Sequence, residues 1–264
     1  MRKRQVILTV VLFISFLISF RCATEPDGDK IFIHYLGHSS FILNFNNELS
    51  VLTDYGESNS YGLDSPIYDF GDFIPDIETY SHTSHVDHFT DRIFEDIKYT
   101  LTDTAGLKLD DLTIRPVRVS ELSLEEKDNS SFIFYYRGMT IVHLGDAQAN
   151  IKNILDETNR AYLKEVMPEK IDVLLMTIQG RTEFIESAEI FIDFLKPAAV
   201  IPMHYWSGEY KKRFLDHLKS LNNTGRNYII EEVNGPEYTI EAGTPDQDMI
   251  KIISLEAGPY EGKY

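Results

Sequence analysis

Short apolar runs broken by small polar turns fill the first half of the chain, and helical spacing enters only in the second half. IFIHYL (31–36), SFILNF (40–45) and ELSVLTD (48–54) are of the β type, separated by Gly-His-Ser and Asn-Asn turns. Residues 55–75, rich in Gly, Asp, Ser and Pro, are expected to form a floppy loop. DIETYS (76–81) reads as a strand, DRIFEDI as a short helix and KYTLT (98–102) as another strand. LTIRPVRV (112–119) and a hairpin over 130–146, turned at Arg137-Gly138, follow. Next come a helix over roughly 147–165 and the strand IDVLLMTI (171–178). Phe184, Ile185, Ala188, Phe191, Ile192 and Leu195 recur at helical spacing. AAVIPMHYW (198–206), a helix over 207–221 and strands near 226–232 and 249–254 complete the chain. Strands first, then helices alternating with strands, describe a layered α/β protein with mixed sheets.

The first twenty-two residues break this pattern. A basic MRKR precedes about fifteen apolar residues ending at Arg21-Cys22, shorter than the ~20 a spanning helix uses. The segment reads as a secretory signal. Cys22, the single cysteine, stands just before the polar ATEPDGD, a layout that resembles a bacterial lipoprotein signal despite Arg21 in place of the usual small residue. The expected organisation is a signal over 1–22, a linker over 23–30 and one domain over 31–264. The chain is then exported and membrane-anchored through lipid or the signal itself, in the periplasm or on the outer surface.

One cysteine excludes an intramolecular disulfide. The signal carries four of the 25 basic residues and no acid, leaving 21 basic against 42 acidic residues, a net −21. Such a surface repels nucleic acid, so the expected partners are a small-molecule substrate and the membrane.

Potential metal ligands sit at the ends of expected strands. Asp54 closes VLTD; His82, His85, Asp87 and His88 follow DIETYS; Asp146 follows TIVHLG; His204 ends AVIPMH. Strand ends at one sheet edge are where an open α/β protein builds a site. Imidazoles and carboxylates without thiolate suit Zn2+, with Mn2+ or Fe2+ as alternatives.

The set GHSSF, LTD, SHTSHVDH, HLGD and IPMHY resembles the metallo-β-lactamase fold superfamily, in particular hydrolases related to ascorbate-6-phosphate lactonase. It covers residues 31 to 206. The resemblance implies a four-layer αββα sandwich with a two-metal site at one edge, at which metal-activated water attacks an ester, lactone, amide or phosphodiester. It further implies Asp87, His88 and His204 as ligands of a second metal, Asp146 as a bridge, His85 on a first metal and Asp54 as an orienting carboxylate. His38 and Asp87 are the candidate catalytic groups.

Two departures bear on the number of ions. The familiar run is H-x-H-x-D-H, whereas SHTSHVDH holds one extra residue, which separates His82 from the register of His85, Asp87 and His88. No histidine lies between Leu101 and Val142, where the family has one; Ser120, Glu121 and His143 are the substitutes at hand. The expectation is one robust metal on Asp87, His88, Asp146 and His204, with a first site degraded or rebuilt from His82, His85 and Glu121. A non-catalytic surface lipoprotein with the same fold stays open. Arg181 is a candidate anion fork and Tyr205-Trp206 a candidate pocket wall, whereas His34 is read as an ordinary strand side chain and His217 as exposed on a helix.

Overall fold

The computed structural model describes residues 28–90, 96–102, 105–119, 128–147, 154, 156–179, 182–242 and 249–262. The signal with Cys22, residues 91–95 of the DRIFEDI helix, Ser120, Glu121 and Arg181 lie outside them.

The first sheet is built from β1 (Lys30–Gly37), β2 (Ser40–Phe45), β3 (Leu49–Thr53), β4 (Ile77–Tyr80) and β5 (Tyr99–Thr102). The second holds β6 (Leu107–Lys108), β7 (Leu112–Val119), β8 (Asn129–Tyr136), β9 (Met139–His143), β10 (Val173–Thr177), β11 (Ala199–Met203), β12 (Tyr228–Glu232) and β14 (Ile250–Ser254). β13 (Glu237–Glu241) returns to the first sheet, giving the orders β13-β1-β2-β3-β4-β5 and β12-β14-β11-β10-β9-β8-β7-β6. Three helices are described: α1 (Glu157–Val166), α2 (Thr182–Leu195) and α3 (Gly208–Asn222). They fall in the β9–β10, β10–β11 and β11–β12 connections.

The period of two along a strand explains the layering. Ile31, Ile33, Phe41, Leu43, Phe45 and Val51 enter one large core shared with Phe132, Phe134, Ile141 and Leu175 of the second sheet. The alternate positions Leu36, Ile42 and Leu52 face the other way, against Ile67, Phe70 and Tyr260. On the second sheet Phe191 and Phe214, from α2 and α3, join the large core, each burial worth ~1.5–3 kcal/mol. The layered α/β sandwich expected from the element order is therefore present.

Three expectations change in detail. The helix placed over 147–165 is described only as α1, which Asp156 caps by accepting from the Asn159 N–H. The loop expected over 55–75 is pinned to the first sheet through Ile67 and Phe70, with a 3-10 turn at Ser60–Gly62. β6 and β13 were not foreseen: Leu107–Lys108 is too short to show a period, and EYTIE is an edge strand with no fully buried position. Among the described residues no helix is long and apolar enough to cross a membrane.

Candidate metal centre

At one edge of the sandwich both sheets end in polar residues. His38 sits in the β1–β2 turn, Asp54 follows β3, and Ser81 to His88 follow β4. Asp146 follows β9, Gln179 follows β10 and His204 follows β11. Four of these non-glycine residues take positive φ: His38 (50°), Asp54 (40°), Gln179 (40°) and His204 (52°). Such conformations cost of order 1 kcal/mol each and persist where the surroundings hold them. Here backbone hydrogen bonds do so. The His204 N–H donates to the His38 carbonyl (2.8 Å), Gln179 N–H to the His204 carbonyl (2.9 Å) and Asp54 N–H to Thr79 (2.9 Å). The first of these ties one sheet to the other.

Glycines let the pieces approach. A Cβ on Gly56 would stand 2.2 Å from the Asp87 carbonyl carbon. Gly145, at φ +60°, lies where a Cβ would meet Ser81 Cβ at 2.4 Å and Asn129 Oδ1 at 2.5 Å.

His88 is the centre of the arrangement. It is fully buried, and its Nδ1 donates to Asp54 Oδ2 at 2.9 Å. Asp54, also fully buried, accepts from the Ser81 N–H (2.6 Å) and hydroxyl (2.5 Å). With Nδ1 committed to Asp54, it is His88 Nε2 that turns into the site, where a bound cation would replace its proton. His88 Nε2 lies 2.9 Å from His204 Nε2. Beside them, the His38 Nε2–H donates to Asp87 Oδ2 at 3.2 Å. Donor atoms of His38, Asp87, His88 and His204 all fall within 4.8 Å of one another, and all four residues are buried. Asp146 joins from the second sheet, 3.6 Å from His204 Nε2 and 4.0 Å from His88 Nε2. It is held by Gln179 Nε2 (3.0 Å), and its own N–H donates to Asn129 Oδ1 (2.7 Å).

The charges follow from these contacts. Burial would lower the His88 pKa, but the hydrogen bond to Asp54 and the charges of Asp54, Asp146 and Asp87 raise it to about 9. Burial would raise Asp87, yet the His38 hydrogen bond and the nearby imidazoles hold it well below the usual carboxylate range. Burial and the rings of His38 and His88 push His204 well below its ordinary value.

The donor set fits a cation. Asp87 Oδ1, His38 Nδ1 and His204 Nδ1 are buried with no hydrogen-bond partner among the described residues. Buried polar atoms are ordinarily matched, so three such atoms beside one another point to a missing partner. Nitrogen and carboxylate oxygen are borderline ligands, as expected from the sequence.

The outcome for the sequence candidates is uneven. Asp87, His88, His204 and Asp146 come together, and His38 stands among them instead of behind them. His82 and His85 do not join the group. Their rings stack on each other (centroids 4.0 Å apart, 15° between planes), and the His82 ring centroid lies 6.3 Å from that of His88. Ser84, in the expanded interval, places its Oγ 3.0 Å from His82 Nδ1. The extra residue thus turns the left half of the motif onto itself. His143 packs beneath the site, its Nε2 donating to the Ser39 carbonyl at 2.8 Å. His34 is buried in β1 with Nε2 on the Gly258 carbonyl. His217 differs from expectation: it is half-buried between helices, 3.0 Å from Glu189 of α2. Sequence reasoning missed Asn129 and Gln179, whose amides hold the Asp146 side of the site. A lone amide at a strand end carries no signal in one sequence.

Residues 32–204 match the family described as the beta-lactamase superfamily domain, a span that opens in β1 and closes on His204 itself. The chain belongs to the beta-lactamase superfamily. No curated protein sequence matched it. Among solved structures, a superfamily member from Thermotoga maritima aligns with TM-score 0.57 and 21% identity over 86% of this chain and 100% of that one. Igni18, a metallo hydrolase from Ignicoccus hospitalis, gives TM-score 0.56 and 19% identity over 80% and 99%. CmlA, a diiron beta-hydroxylase from Streptomyces venezuelae, gives 0.54 and 13% over 82% and 54%. At these identities the likeness is one of fold. The superfamily fold therefore accounts for the two sheets and for the edge where the donors gather.

Proposed function

We propose that this chain is a metal-dependent hydrolase acting on a small ester, lactone or phosphoester. The observation that carries the reading is the buried convergence of His38, Asp87, His88 and His204, with Asp54 presetting the His88 tautomer. His88, His204 and Asp87 would hold one divalent ion, Zn2+ or else Mn2+ or Fe2+, with Asp146 and His38 at its flanks. When bound, that ion supplies a Lewis acid and lowers the pKa of a coordinated water to ~7. The chain's own groups do the rest. Asp54 and Gln179 orient a ligand each, and the His38–Asp87 contact places a proton donor beside a carboxylate. His82 and His85, stacked outside the group, make a second ion the weaker site.

Elemental analysis of the purified protein tests this. The expected result is one tightly held transition-metal equivalent, lost in His88→Ala, with metal-dependent turnover of a panel of lactones, carboxylic esters and phosphodiesters. A metal-free protein whose stability His88→Ala leaves unchanged overturns it. The signal-like segment supports export with lipid attachment at Cys22. Palmitate labelling that persists in Cys22→Ala would refute that part.

A further inference from the structure

A second recess adjoins the metal centre. Its cavity measures about 250 Å3, below the ~300–1,000 Å3 of sites for drug-sized ligands, so it holds one ring and not two. His38 is common to the recess and to the donor cluster.

The walls carry a particular mixture. Of the pair Tyr205-Trp206 expected as a pocket wall, Tyr205 lines it and Trp206 does not, and Lys211 from the first turn of α3 lies over the Tyr205 ring at 5.4 Å. The Lys211 ammonium donates to the Leu255 carbonyl at 2.9 Å and is paired with no carboxylate among the described residues. Asp64 and Glu256 also face the cavity. Tyr68, 39% exposed, adds an aromatic ring with no aromatic partner among the described residues.

The charges select the occupant. An anion would meet Asp64 and Glu256, and a cation would meet Lys211. A neutral ring bearing several hydroxyls can donate to the carboxylates, accept from the ammonium and lay its C–H face on Tyr68. We infer that this recess binds a neutral sugar-type ring, placed so that a group attached to it reaches His38 and the metal centre. As a subsite of the substrate it rests on the hydrolase reading; as a sugar recess it does not.

Trp206, the single tryptophan, follows Tyr205, and its carbonyl accepts from the Asp64 N–H at 3.1 Å. Its fluorescence is a reporter from inside the protein. The purified full chain is titrated with the methyl β-pyranosides of glucose, galactose and mannose, and separately with phosphate, acetate and tetramethylammonium. The expected result is a saturable change with at least one glycoside, weakened about tenfold or more (~1.4 kcal/mol) in Lys211→Met and in Tyr68→Ala at unchanged melting temperature. No saturable response to any glycoside, tighter binding of phosphate or acetate, or unchanged affinity in both variants overturns the inference. Glycoside binding by a chain that holds no metal would sink the hydrolase reading alone.

Discussion

The two ends of the sandwich are joined by opposite means. At the metal-centre end, sheet is tied to sheet by buried contacts such as His204 N–H to His38 and His143 to Ser39. At the far end Arg137, in the β8–β9 turn, reaches Asp29 (2.7 Å), Glu48 (2.8 Å) and Asp111 (2.7 Å) in solvent. Each end links the sheets, but water stands in for a lost partner only at the exposed one. The comparison teaches where this fold tolerates change: at the far end an ion can be lost cheaply, and at the site it cannot.

The largest effect should come from Asp54→Ala. It removes the buried carboxylate shared by His88 Nδ1–H and the Ser81 N–H and hydroxyl, leaving His88 only the Ser39 (3.2 Å) and Ser81 (3.3 Å) hydroxyls, so a loss of about 3–5 kcal/mol in urea unfolding is expected. Metal affinity should fall by ~10–100-fold in competition with a chromophoric chelator. If Asp54→Ala melts like the parent, the contrast between the ends fails.

Gly145→Ala comes next. The new methyl must displace Ser81 and Asn129 at an unfavourable φ, and about 1–3 kcal/mol is expected from the strain. Met139, at the opposite end of the same β9–Gly145 stretch, is buried in ordinary apolar packing, and Met139→Leu should cost under ~1.5 kcal/mol.

A pH series sharpens the comparison further. In chelator-treated protein the His88 pKa is raised to about 9, above the unfolded value near 6.5. A raised histidine contributes stability below the unfolded pKa, so this contribution should decline as pH climbs from 6.5 through 9. Asp54→Ala should flatten that decline, as read from urea midpoints. The smallest effect belongs to Arg137→Asn, whose shift in melting temperature should shrink in high salt.

The sequence made most of the architecture legible because strands such as SFILNF, MTIVH, VLLMT and AVIPM are buried on both faces, and so stand out as short apolar runs bounded by turns. It failed at EYTIE, where an edge strand pairs with β1 but buries nothing fully. Within the site, Asp87, His88, Asp146 and His204 were readable from their residue types at strand ends. The place of His38 was less so, because the positive φ that turns its ring toward Asp87 depends on the His204 N–H reaching its carbonyl. That is a contact across 166 positions, and no local pattern records it. The parting of His82 from His88 likewise depended on how the loop absorbs one residue, which spacing alone leaves undecided.

The His38–His204 clasp also sets an order of events in time. Segments so far apart in the chain meet only after the earlier loops have closed, and distant pairings are slow to form. The donors are therefore expected to assemble late, once both sheets are face to face. A chain that crosses a membrane unfolded would meet its ion only on the far side, and that compartment's metal supply, as much as the ligands, would decide which ion it carries.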